Sequence, residues 1–130
     1  MYSNAAQAYR STEKATLNGR SLEAHVLNTA AIKLKECQNN WEGKDSYARL
    51  VEALKLNQKV WSIFQVELSA EDNPLPKQLR IDLLRLGRFI DQRIMDIMAF
   101  PEAEKLTAII NINNNIAAGL QGNPGGTTPV

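Results

Sequence analysis

The side chains that could do chemistry in this chain are few, and their spacing keeps them apart. His25 is the only histidine and Cys37 the only cysteine. No cysteine or acid stands at ligand spacing from His25, so it reads as a solvated helix residue rather than a metal ligand. Cys37 falls on an apolar helical stripe with nothing nearby to stabilise a thiolate, and reads as a small buried apolar residue. A single cysteine leaves no intrachain disulfide and no cysteine metal cage. Glu102 and Glu104 are close in sequence but point to different sides of a helix, so they are N-terminal helix charges rather than a paired acid and base. No glycine-rich loop follows a strand, and the one glycine pair, Gly125-Gly126, lies in the C-terminal tail. The expectation is a chain with no catalytic residue, no metal and no cofactor.

Two other sets of polar residues invite a functional reading. Arg80, Arg85, Arg88 and Arg93 suggest a nucleic-acid surface, but Asp82, Asp91, Gln92 and Asp96 interleave with them. No aromatic platform is expected on that face, so a solvated, salt-bridged helix surface is the better account. Asn57 and Asn113 each sit in the middle of an apolar stripe. A buried amide without hydrogen-bond partners costs about 1–3 kcal/mol. Each is therefore either a satisfied structural residue or a recognition residue. The spacing predicts that both are buried and hydrogen-bonded, with each other as one candidate partner, fixing the register of their helices.

Length and charge limit what can position these residues. The chain has 130 residues, enough for one domain with a real core. Its net charge is +1, which argues against a protein devoted to nucleic acid or to an anionic membrane. The opening MYSNAAQAYR has neither the basic start nor the apolar centre of a signal peptide. No apolar run approaches the roughly 20 residues that span a bilayer. The expected compartment is the cytoplasm.

Periodicity predicts an all-α fold, a small helical bundle of four main helices near residues 21–38, 45–69, 76–99 and 102–119. The single domain covers residues 1–120. Within it, residues 1–20 form a short extra helix or a mobile arm, with Tyr9 as its anchor. LNGR at Leu17–Arg20 is a turn signal, after which Ser21 caps the first main helix. That helix carries Leu22, Val26, Ala30, Leu34 and Cys37 on its stripe, and Trp41 folds back onto the core beyond it. The tail 121–130 is expected to be disordered.

The chain is organised around 45–69. Tyr47, Leu50, Val51, Leu54, Trp61, Phe64 and Leu68 share one face, and Leu56, Val60 and Ile63 form a second row opposite. A helix apolar on two sides is usually central, so the second row is expected to be core. Trp61, Phe64 and Leu54, with Leu83 and Ile90 of the third helix, are the predicted core. Gly87 lies beside that helix's stripe, where a missing side chain permits close contact. Ile81, Leu84 and Met95 fall off the stripe and share a face with Arg88. An apolar row beside arginine is a common interface composition, so Ile81, Leu84, Arg88 and Met95 are the predicted partner contacts.

Three stretches together resemble one known family. They are Asn57-Gln58-Lys59-Val60-Trp61-Ser62-Ile63-Phe64, Leu75-Pro76-Lys77-Gln78-Leu79-Arg80, and Ile112-Asn113-Asn114-Asn115-Ile116-Ala117-Ala118-Gly119-Leu120. With an early Ala8-Tyr9, they follow the pattern of the flagellar biosynthesis regulator FlaF of alphaproteobacteria over nearly the whole chain. The basic residue usual in the closing motif is Asn114 here, and the tail beyond Leu120 lies outside the pattern. The resemblance implies a small, helical, non-enzymatic protein needed for flagellin production and export. It implies a cytoplasmic secretion chaperone that binds flagellin and acts opposite FlbT, a repressor of flagellin translation. An adaptor working through FlbT and an RNA-binding regulator of flagellin translation are the competing readings. Flagellin's termini are amphipathic helices, so helix-in-groove binding would suit.

Overall fold

The computed structural model describes the backbone of residues 4–122 and the side chains of residues 20–122. Four helices follow one another: α1 (Asn4–Asn39), α2 (Ser46–Ser69), α3 (Lys77–Ala99) and α4 (Leu106–Leu120), the last preceded by a 3-10 turn at Ala103–Lys105. Among the described residues there is no strand, and the fold is a small all-α bundle.

The helix boundaries have local causes. Phe100 leaves helical geometry at φ −138°, ψ 81°, because the residue before Pro101 avoids the helical region. Pro76, at φ −55°, is ring-locked at the mouth of α3. The loop before it closes on Asn73, which donates to the Glu67 carbonyl at 2.9 Å and accepts from the Leu75 N–H at 3.0 Å. In the turn between α1 and α2 the left-handed residue is Asp45, at φ 57°, a conformation that aspartate tolerates better than most residues. The turn signal at Leu17–Arg20 does not break the chain, and α1 is one helix from Asn4. The separate N-terminal helix and the Ser21 cap are thus corrected. One glycine in a helix costs only about 1 kcal/mol against alanine, and the first proline in the chain is Pro74. The expected anchoring by Tyr9, and the tail from residue 123, fall outside the described side chains and residues.

α1 packs most extensively on α4 and next on α2; α2 also carries α3, while α3 and α4 barely touch. Small residues on the α1 stripe (Ala24, Ala30, Ala31) and Ala117 on α4 are all buried, and they let backbones approach. Gln38 near the end of α1 donates to the Ala103 carbonyl at 2.9 Å and to Thr107 Oγ1 at 3.0 Å, so the end of α1 meets the start of α4. At that corner Lys105 Nζ donates to the Phe100 carbonyl at 2.8 Å and pairs with Asp96 at 2.9 Å.

The core holds Leu27, Leu34, Leu54, Trp61, Ile90, Ile94, Ile97, Leu106 and Ile109. Each such side chain contributes about 1.5–3 kcal/mol by leaving water. Of the predicted core, Leu54, Trp61 and Ile90 are buried. Phe64 is half-buried, edge-on to Trp61 with centroids 5.9 Å apart. Leu83 is only half-buried and stands outside the core cluster. The buried positions of α3 begin at Gly87, and the helix as a whole gains little cover from α4. Leu22 and Tyr47 leave their predicted stripes for solvent. In the second row of α2, Val60 is buried and Leu56 half-buried, but Ile63 is 51% exposed. α2 has neighbours over an arc rather than all round, and the far edge of that row lies beyond it.

Candidate partner-binding face

α3 packs on α2 by one side. Gly87, Ile90, Ile94 and Ile97 are its buried residues. Gln65 of α2 lies across Gly87: a Cβ there would stand 2.8 Å from Gln65 Nε2. The same Nε2 donates to Asp91 Oδ2 at 3.2 Å. At 3.6 residues per turn, the opposite side of α3 presents Ile81, Leu84, Arg85, Arg88, Gln92 and Met95. Ile81 and Leu84 are half-buried, Arg85, Arg88 and Gln92 are exposed, and Met95 is 68% exposed. The structure thus brings the four predicted contacts together on one outward face. It adds Arg85 and Gln92, which the same periodicity would have found.

The electrostatics of this face differ from the sequence expectation. Each carboxylate of α3 has a partner. Asp82 Oδ1 accepts from Gln78 at 3.0 Å, Asp91 from Gln65, and Asp96 pairs with Lys105. Among the described residues no arginine of α3 forms an ion pair, so the expected salt-bridged surface is not made. Arg80 turns back to donate Nη1 to the Ala70 carbonyl at 3.1 Å. Arg93 lies over the Phe89 ring, 5.3 Å from its centroid. Phe89 is 38% exposed, so one aromatic does stand beside the arginines, contrary to expectation. Among the described residues Arg85 and Arg88 have no ionic partner.

Behind this face the helices are held in register by a buried amide network. Asn57 and Asn113 are both fully buried. Asn57 Nδ2 donates to the carbonyls of Ala30 at 3.2 Å and Ala53 at 2.9 Å, and its Oδ1 accepts from Asn113 Nδ2 at 2.6 Å. Asn113 Oδ1 accepts from Trp61 Nε1 at 2.9 Å. These bonds join α1, α2 and α4, and they satisfy both amide oxygens and both hydrogens of the Asn57 amide. The asparagines therefore serve the interior and are closed to any ligand.

Other surfaces offer less. A depression of about 540 Å³ at the α1–α2 corner is lined by Lys33, Glu36, Cys37, Lys44, Arg49 and Glu52 among others. Its mixed charges give it no preference for either sign of ligand. Cys37 at its edge is 8% exposed, and burial pushes its thiol pKa up, away from thiolate reactivity. Burial, reinforced by the neighbouring Glu67 carboxylate, raises the pKa of Glu23. His25 is exposed. Among the described residues no three of His, Cys, Asp and Glu gather as a metal site, and no helix is long and apolar enough to cross a membrane.

No curated protein and no solved structure matches the chain. The family model for the flagellar protein FlaF matches residues 5–120, from the start of α1 to the end of α4. That span takes in the buried asparagines, the proline-opened α3 and its outward face, and it covers most of the chain: the protein belongs to the FlaF family of flagellar proteins.

Proposed function

We propose that this protein is a flagellar biosynthesis regulator that binds flagellin in the cytoplasm as an export chaperone and so promotes flagellin synthesis and secretion. It works by binding alone, without catalysis or cofactor. The observation that carries the reading is the outward face of α3, where Ile81, Leu84 and Met95 flank Arg88 on a helix whose opposite side is committed to the core. Family membership supplies the flagellar context. An amphipathic flagellin segment laid along this face would shield its own apolar stripe until export, which is the physical content of chaperoning.

The test is co-elution of the purified protein with flagellin at micromolar concentration. A soluble stoichiometric complex supports the reading. Separate elution removes direct binding and favours an adaptor acting through FlbT, which a pull-down from cells lacking flagellin would detect. Affinity for flagellin message that falls steeply with salt would favour an RNA-binding regulator.

A further inference from the structure

The outward face of α3 is asymmetric in charge. It carries Lys77, Arg85 and Arg88, all exposed, and one carboxylate, exposed Asp96, which pairs with Lys105. Asp82 and Asp91 lie on opposite flanks, hydrogen-bonded to Gln78 and Gln65, so the face itself carries three cations against one carboxylate that already has a cation of its own. Arg85 and Arg88 stand one turn apart beside half-buried Leu84 and exposed Met95. Arginine is the less strongly hydrated of the two long cations and forms forked bonds to carboxylates. Methionine adapts to varied apolar partners.

From this arrangement we infer that the face receives an acidic amphipathic helix of a partner protein. The partner's apolar stripe lies on Leu84 and Met95, and carboxylates one turn apart pair with Arg85 and Arg88. This deepens the reading above and rests on its assignment of this face as the docking surface. A protein helix fits better than a nucleic acid or an anionic membrane. The cations are few and interspersed with aliphatic groups, and the chain as a whole is only +1, whereas polyanion surfaces carry long basic tracks.

The experiment uses the full chain and two fluorescent helical peptides that share one leucine stripe. One is flanked by glutamates and the other by lysines. Wild-type protein should bind the glutamate peptide, and more weakly as salt is raised. R85E/R88E should weaken that binding by roughly tenfold or more and turn the preference to the lysine peptide. Both arginines are exposed, so the thermal melt should be unchanged; R85Q/R88Q, which should lose the glutamate peptide without gaining the other, is measured alongside. K55E/K59E, at exposed positions on α2, makes the same change in net charge and should leave binding intact. The inference is overturned if R85E/R88E keeps the glutamate peptide, or if K55E/K59E loses it equally. It is also overturned if a single-stranded RNA oligonucleotide or phosphatidylserine vesicles bind wild type more tightly than the peptide and release from R85E/R88E. Flagellin co-elution is scored separately: a wild type that binds the glutamate peptide but not flagellin retains this inference and removes the flagellin reading.

Discussion

Asn113 of α4 donates its amide to Asn57 Oδ1 of α2 at 2.6 Å, a fully buried bond between residues 56 positions apart. One turn further along α2, Trp61 donates to the oxygen of the same Asn113. Asn113 thus clamps two successive turns of α2, and Asn57 passes the constraint to α1 through the Ala30 carbonyl. A one-residue slip of α4 would leave buried donors and acceptors on both helices unpaired. That penalty favours a single register where an aliphatic seam alone would permit several.

Trp61→Ala should destabilise the protein by about 3–5 kcal/mol through the cavity it leaves, and by more where Asn113 Oδ1 loses its donor. Trp61→Phe keeps most of the volume and isolates the polar part, expected at about 1–3 kcal/mol. Asn57→Ala and Asn113→Ala should each destabilise by a similar amount, and the double variant by clearly less than their sum. Urea unfolding of the five variants checks this. An unchanged midpoint in Trp61→Ala would place that side chain outside the core.

Glu23 on α1 faces Glu67 on α2, and burial followed by this like charge raises its pKa above the ordinary 4.5. At a pH between the ordinary and the raised value, the folded protein holds more of the Glu23 proton than the unfolded chain does. Stability contributed here is present below about 4.5 and is lost as pH rises through the raised folded value. Glu23→Gln removes the penalty, so its Tm should exceed that of wild type at pH 7 and converge with it near pH 4. Melting curves across that range decide it; a Tm difference independent of pH would refute the linkage.

Leu84→Glu with Met95→Glu puts two carboxylates on the outward face of α3 without touching a fully buried position. The double variant should melt within a few degrees of wild type and no longer co-elute with flagellin in size-exclusion chromatography. A folded variant that still co-elutes moves the interface elsewhere. Loss of folding would show that the face is packed rather than free.

Cys37 should resist modification. The residue is 8% exposed and its thiol pKa is raised by burial, so labelling by a thiol reagent at pH 7 should be slow in the native protein and complete in denaturant. Equal rates in the two states would place Cys37 at the surface.

The sequence by itself determined the helical class, the boundaries of α2, α3 and α4 to within a few residues, and the burial of both asparagines. These follow from local causes. Apolar residues recur at helical spacing, prolines end or open helices, and a polar side chain in the middle of an apolar stripe is forced inside with it. Gathering Ile81, Leu84, Arg88 and Met95 on one side of α3 was legible for the same reason, since angular position on a helix depends on spacing alone. Only the tertiary structure decided how far each stripe is covered. Leu83, Leu22, Tyr47 and Ile63 follow the pattern of buried residues, but Leu83 is only half-buried and the other three are exposed. Packing likewise decided the charges: Gln65 comes from α2 and Lys105 from the turn before α4, and each takes an aspartate of α3 from its side. No spacing within α3 encodes those partners, because they are brought to it by the fold.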